Sequence, residues 1–137
     1  MDKALNYLAL ARKAGKAELG EEPVGAAARG EKARLVLVAS DAGDHTWRRA
    51  KSFVAGTGQL CIRVPYTKDE MGMAIGRTSL AIAAITDAAL ALSLVNALPQ
   101  PEQYAAEIAA LRERVERALQ RLKEQKAHAR NKKMHKK

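Results

Sequence analysis

Two uninterrupted apolar runs of strand length, Leu35-Val36-Leu37-Val38-Ala39 and Leu80 to Ile85, constrain this chain more than any other feature. A strand with no polar face cannot meet water on either side, so it belongs inside a sheet covered by helices on both faces. Segments of helical period surround both runs. Asp2 is placed to cap a first helix carrying Leu5, Leu8 and Ala9, and Gly15 is a left-handed stop behind Arg12 and Lys13. A second helix starts in Gly20 to Pro23 and ends at Gly30. Asp44 opens a third with Trp47, Phe53 and Val54, and Gly56-Thr57-Gly58 turns the chain into a strand from Leu60 to Val64. Thr67-Lys68-Asp69-Glu70 has the form of a capping box ahead of Met71, Ala74 and Ile75. Gly76-Arg77-Thr78-Ser79 makes a loop before the Leu80 run, and Asp87 caps a fifth helix through Leu90, Leu94 and Val95. Helical and strand periods taking turns specify an α/β domain.

This unit is expected to cover residues 1–98. Pro99-Gln100-Pro101 breaks the chain, and Tyr104, Ile108, Leu111, Val115, Ala118 and Leu122 then recur at alternating spacings of four and three. Residues 99–126 therefore read as an amphipathic helix. It is barely long enough for a coiled-coil dimer, so packing back onto the domain of a monomer is the preferred role. Residues 127–137 lose apolar spacing and are expected to be a basic, disordered tail unless RNA orders them. The net charge of +9 is concentrated here: residues 121–137 hold eight basic side chains, Lys132 and Lys133 among them, against Glu124 alone, so +7 of the +9 lies in this segment. Basic terminal arms neutralise nucleic-acid phosphates.

Catalysis finds no support in the motifs. The three histidines include two in the tail, His128 and His135, and there is no metal-ligand spacing, phosphate loop or nucleophile elbow. No catalytic residue, metal or cofactor is expected. A lone cysteine, Cys61, permits no internal disulfide and reads as a buried strand residue. No apolar run approaches a membrane span of about 18 residues, and no secretory start precedes Gly15, so a soluble cytoplasmic protein is expected. With only five aromatics, recognition of RNA by bases stacked on a sheet is disfavoured against a helix-and-loop surface.

The order and wording of the elements resemble the kink-turn-binding ribosomal protein family, the L-seven-Ae and L-thirty-e type, and most nearly its bacterial translation-associated branch. The resemblance spans about residues 4–96. It is carried by Leu8-Ala9-Leu10-Ala11-Arg12-Lys13-Ala14-Gly15-Lys16, Gly20-Glu21-Glu22, Leu35-Val36-Leu37-Val38-Ala39-Ser40-Asp41, Met71-Gly72-Met73-Ala74-Ile75-Gly76 and Ala83-Ala84-Ile85-Thr86-Asp87, in that order. It implies a three-layer α/β/α sandwich around a four-stranded mixed sheet, and a non-enzymatic RNA-binding protein of the translation apparatus whose RNA is ribosomal.

The resemblance also implies two contact regions. One is the start of the second helix, Gly20, Glu21 and Glu22; the other is the loop holding Arg77, Thr78, Ser79 and Leu80. Arg12, Lys13 and Lys16 add charge at the end of the first helix, where cations also suit the helix dipole. Arg48, Arg49 and Lys51 read as a solvated face. The chain departs from the family where Glu22 replaces an Asn, Pro23 the recognition Glu, and Ala26 a basic residue one turn later. Glu22 accepts hydrogen bonds but cannot donate as an amide does, and Pro23 offers no polar group, so reading of sheared G·A pairs does not follow from the match. Carboxylates also favour a helix N-terminus for electrostatic reasons alone. The alternative is a ribosome-associated protein interaction module that has lost sequence-specific RNA reading.

Overall fold

The structure, a computed structural model, describes residues 2–134. Six helices and four strands follow in the order α1 (Lys3–Lys13), β1 (Ala17–Leu19), α2 (Glu21–Arg29), β2 (Leu35–Val38), α3 (Asp44–Val54), β3 (Leu60–Arg63), α4 (Lys68–Ala74), β4 (Ile82–Ile85), α5 (Ala88–Asn96) and α6 (Ala105–Met134), with a 3-10 turn at Pro101–Tyr104. The sheet order is β1-β4-β2-β3. β2 runs parallel to β3, and both β1 and β2 run antiparallel to β4. Helices α2 and α3 cover one face, α1, α4 and α5 the other, and α6 packs on α5. This is the expected three-layer sandwich around a mixed four-stranded sheet.

The two apolar runs occupy the two central strands, every residue of β2 and β4 being buried. The caps form as the side chains dictate. Ala4 N donates to Asp2 Oδ1 at 2.8 Å, Leu90 N donates to Asp87 Oδ2 at 2.9 Å, and Thr67 and Glu70 satisfy each other's backbone donors in a capping box. Edge strand β1 is the element that the residues did not announce. Three residues are too few to display a period, and its place is fixed by pairing Leu19 with Ala83 and Ala17 with Ile85.

The sheet direction defines two poles. At one, β1 ends, β4 begins and β2 and β3 finish; at the other, β4 ends at Ile85 and β2 begins at Leu35.

The core does not stop at Leu98. Leu111 of α6 is fully buried, Ile108 packs against the core, and the Tyr104 hydroxyl donates to the Arg63 carbonyl at 3.3 Å. The stripe thus packs back over its first turns, while every residue from Glu116 to Asn131 is exposed. Over residues 127–134 the structure continues α6 in place of the expected disorder, and residues 135–137 of that expected tail lie outside the described residues. Residues 127–134 contain no Gly or Pro and are mostly good helix formers, so nothing local stops a helix already nucleated on the domain. Among the described residues no helix is long and apolar enough to cross a membrane.

Candidate nucleic-acid interface

Gly20 sets the first half of the candidate site. It is the N-cap of α2 with φ 96° and ψ 165°, a conformation that residues with a Cβ rarely adopt. Its N–H donates to the Ile82 carbonyl at 3.0 Å, which ties the start of α2 to the start of β4. No side chain caps this helix, whose first turn carries exposed Glu22 and Pro23. Pro23 loses nothing there, since a first-turn N–H has no partner within the helix.

Glu21 is held sideways. Its Oε1 lies 2.5 Å from Arg49 Nε as an ion pair without hydrogen-bond alignment, and the Arg49 guanidinium also lies over the Phe53 ring, 5.5 Å from its centroid. Arg48, Arg49 and Lys51 are all exposed, as expected of a solvated face, and Arg49 in addition pairs with Glu21 at the start of α2. Its spacing to Phe53, one helical turn, was the only local signal, and the partner Glu21 lies on another helix.

The second half is the loop after α4. The Gly72 carbonyl accepts from Arg77 N at 2.8 Å, and the chain then returns so that Leu80 N donates to the Lys68 carbonyl at 2.9 Å. The return passes so close to α4 that a Cβ on Gly72 would stand 2.6 Å from Ser79 N and 2.9 Å from the Arg77 carbonyl oxygen. Glycine inside this helix is therefore what lets the loop lie flat, a role that sequence reasoning missed although Gly72 interrupts a helical segment. Arg77, Thr78 and Ser79 are exposed. Three residues beyond Ser79 comes Ile82, the partner of Gly20, so both halves converge on one pole.

The basic residues at the end of α1 do not act as a group. Arg12 Nη1 donates to the Ile75 carbonyl at 2.7 Å and pins the end of α4, while exposed Lys13 stays beside it. The carbonyl of Lys16 accepts from Thr86 N at 2.8 Å, which places this residue at the other end of β1, roughly 13 Å from Gly20 for four extended residues. Leu80 also needs correction as a contact residue: its side chain is only 3% exposed and anchors the loop from within. The side chains of Lys132 and Lys133 lie outside the described part of the structure.

Among the described residues no group of three or more His, Cys, Asp or Glu side chains is placed to hold a metal ion. Burial pushes the Cys61 thiol up to about 11, against smaller opposing effects of Lys51 and Arg63, which leaves it protonated at neutral pH. This pole brings together a helix start without a side-chain cap, the first-turn carboxylates Glu21 and Glu22, and an exposed arginine loop.

No family model matches the chain. It is 47% identical over 49 residues to the RNA-binding protein YlxQ of Enterococcus faecium, a match covering 36% of this chain and 48% of that protein, so the chain spans about half the length of this curated relative. A protein of unknown function from Bacillus halodurans is similar in structure with a TM-score of 0.65 and 28% identity, covering 70% of this chain and 96% of that one. The 15.5kD RNA-binding protein of Giardia lamblia has a TM-score of 0.56 at 18% identity, covering 77% of this chain and 87% of its own, and so shares the fold.

Proposed function

We propose that this chain is a non-enzymatic RNA-binding protein of the translation apparatus that grips structured RNA at the pole built by Gly20 to Glu22 and Arg77 to Ser79. The observation that carries the reading is the convergence of the two halves: an uncapped helix start tied to Ile82, and an exposed arginine loop ending three residues before it. The sequence likeness to a protein named as RNA-binding supports the partner class, and the resemblance to kink-turn binders supports a sharply bent RNA as substrate. Glu22 and Pro23 leave few base-reading donors, so recognition relies on shape and phosphate contact more than on base edges.

The test is binding of the full chain to a kink-turn RNA and to a straight duplex of equal length. Arg77→Ala and Gly20→Val should each weaken the kink-turn complex by about tenfold, the worth of one or two charge-assisted contacts. Kink-turn affinity unchanged by both substitutions places the RNA elsewhere. Equal wild-type affinity for the two RNAs removes the kink-turn part of the reading.

A further inference from the structure

The opposite pole carries a cluster that the proposed interface does not use. Below the end of β4, the projecting part of α6 and the segment Thr86–Ala89 enclose a groove of about 550 Å³. Four arginines line it: Arg34 from the entry to β2, and Arg114, Arg117 and Arg121 from α6. Three of them recur at i, i+3 and i+7, which puts them on one side of the helix over roughly 10 Å of its length. The lining holds one carboxylate, Asp87, and that group is engaged in capping α5 through Leu90 N. Arg117 pairs with Glu113 on its own helix, whereas Arg34 donates to the Glu31 carbonyl at 3.4 Å.

The like charges register on one another. Arg114 is held below the ordinary arginine range by burial first, and then by the neighbouring Arg34 and Arg117. Gathering four cations in one groove destabilises the free protein unless an anion joins them. From Ile82 to Ile85 strand β4 runs about 10 Å, and the groove lies beyond its end, so this groove and the Gly20 pole lie at opposite ends of the sheet.

We propose that this groove is a second, independent binding site for the phosphate backbone of RNA, so that one molecule of the protein holds two RNA segments at once. Guanidinium groups take phosphate oxygens bidentately, which suits a row of arginines better than scattered lysines. A second copy of this chain is an unsuitable occupant, because it would bring two arginine rows together. An acidic protein segment would need charge on one side of α6 only. Past the groove, Lys123, Lys126 and Arg130 are exposed and turn by helical rotation to the side opposite Arg114 and Arg121. A helix basic on both sides is matched by a polyanion that surrounds it. Only the choice of RNA among polyanions rests on the function proposed above.

The test uses the full chain with two fluorescently distinct probes, a kink-turn RNA and a 20-base-pair RNA duplex. Wild type should form a complex containing both, seen by co-sedimentation in an analytical ultracentrifuge. Replacing Arg34, Arg114, Arg117 and Arg121 by Gln should weaken duplex binding more than tenfold at about 0.1 M salt and lower its salt slope by about 3, at 0.7 to 0.9 per lost phosphate contact. The kink-turn RNA should still bind that variant. Arg117→Gln with Arg121→Gln, both exposed and remote from the core, should lower the slope by about half as much if the fourfold change unfolds the chain. Arg77→Ala should do the reverse, weakening kink-turn RNA and sparing the duplex, so loss of the first reading is distinguishable from loss of this one. The proposal is overturned by duplex slopes unchanged in both arginine variants, by mutual exclusion of the two RNAs, by polyglutamate displacing the duplex at equal charge, or by an RNA-free dimer that the arginine substitutions abolish.

Discussion

Gly72 and Ser79 approach so closely that the Cβ missing from one would lie 2.6 Å from the backbone nitrogen of the other. The contact is backbone against backbone site, so no side chain can swing away to relieve it. Gly72→Ala must therefore shift either the loop or α4, which costs about 1–3 kcal/mol as an overpacking change. The loop is the softer partner, because residues 76–79 are exposed while the α4 residues Met71 and Ala74 are buried. The expected outcome is a folded variant whose kink-turn RNA affinity falls by about tenfold while its affinity for plain duplex stays within a factor of two. Urea melts and parallel titrations measure both, and unchanged RNA affinity at a lowered melt midpoint shows that loop position does not matter for binding.

The Leu111 side chain is fully buried although it lies 13 residues past the expected end of the domain, whereas Leu122 on the same stripe is 48% exposed. Leu111→Ala should destabilise the chain by about 2–5 kcal/mol, since it opens a cavity between α6 and α5. Leu122→Ala should change stability by less than about 0.5 kcal/mol. Chemical denaturation of both variants checks this, and equal effects would mean that α6 is docked along more of its length than residues 105–115.

How far the sequence announced this structure follows from what each residue could reveal locally. The caps at Asp2, Thr67 and Asp87 and the two central strands were legible because a cap is a single side chain at a fixed offset and a buried strand is a continuous run. Strand β1 was not, since Ala17-Glu18-Leu19 acquires meaning only by pairing with Ala83 to Ile85. At the candidate site, Gly20 and Arg77 were found by resemblance. Their supports were hidden: Gly72, Arg49 and the arginine groove depend on contacts between elements that no local spacing encodes. Leu80 was misplaced for the same reason, because only the path of the loop determines that its side chain turns inward.

Cys61 lies on edge strand β3, partly buried, with its thiol raised from 9.0 to about 11 by desolvation. A raised thiol favours the protonated folded form, so its contribution to stability is complete below pH 9 and is lost as pH rises towards 11. At pH 8 the folded protein should present about a hundredfold less thiolate than the urea-unfolded chain and react with iodoacetamide correspondingly more slowly. The gap should narrow above about pH 10. Equal rates at pH 8 would show Cys61 to be freely solvated, and Cys61 would then have to be reconsidered as a reactive group.

Most of the charge sits on a helix that leaves the domain at the pole away from Gly20, and this geometry changes what the C-terminal residues are expected to do. Residues 127–137 hold Arg130, Lys132, Lys133, Lys136 and Lys137 with no acid among them. Five phosphate contacts would add about 4 to the slope of log affinity against log salt. Truncation after Lys126 should therefore flatten the slope for duplex RNA held along α6 by about that amount, change kink-turn affinity at the Gly20 pole much less, and keep the core folded, since Leu111 and the turns that bury it remain. Titrations of full-length and truncated chain at several salt concentrations measure all three. Equal duplex slopes would show that this segment does not meet phosphate, and an equal fall in kink-turn affinity would show that RNA at the Gly20 pole also depends on it.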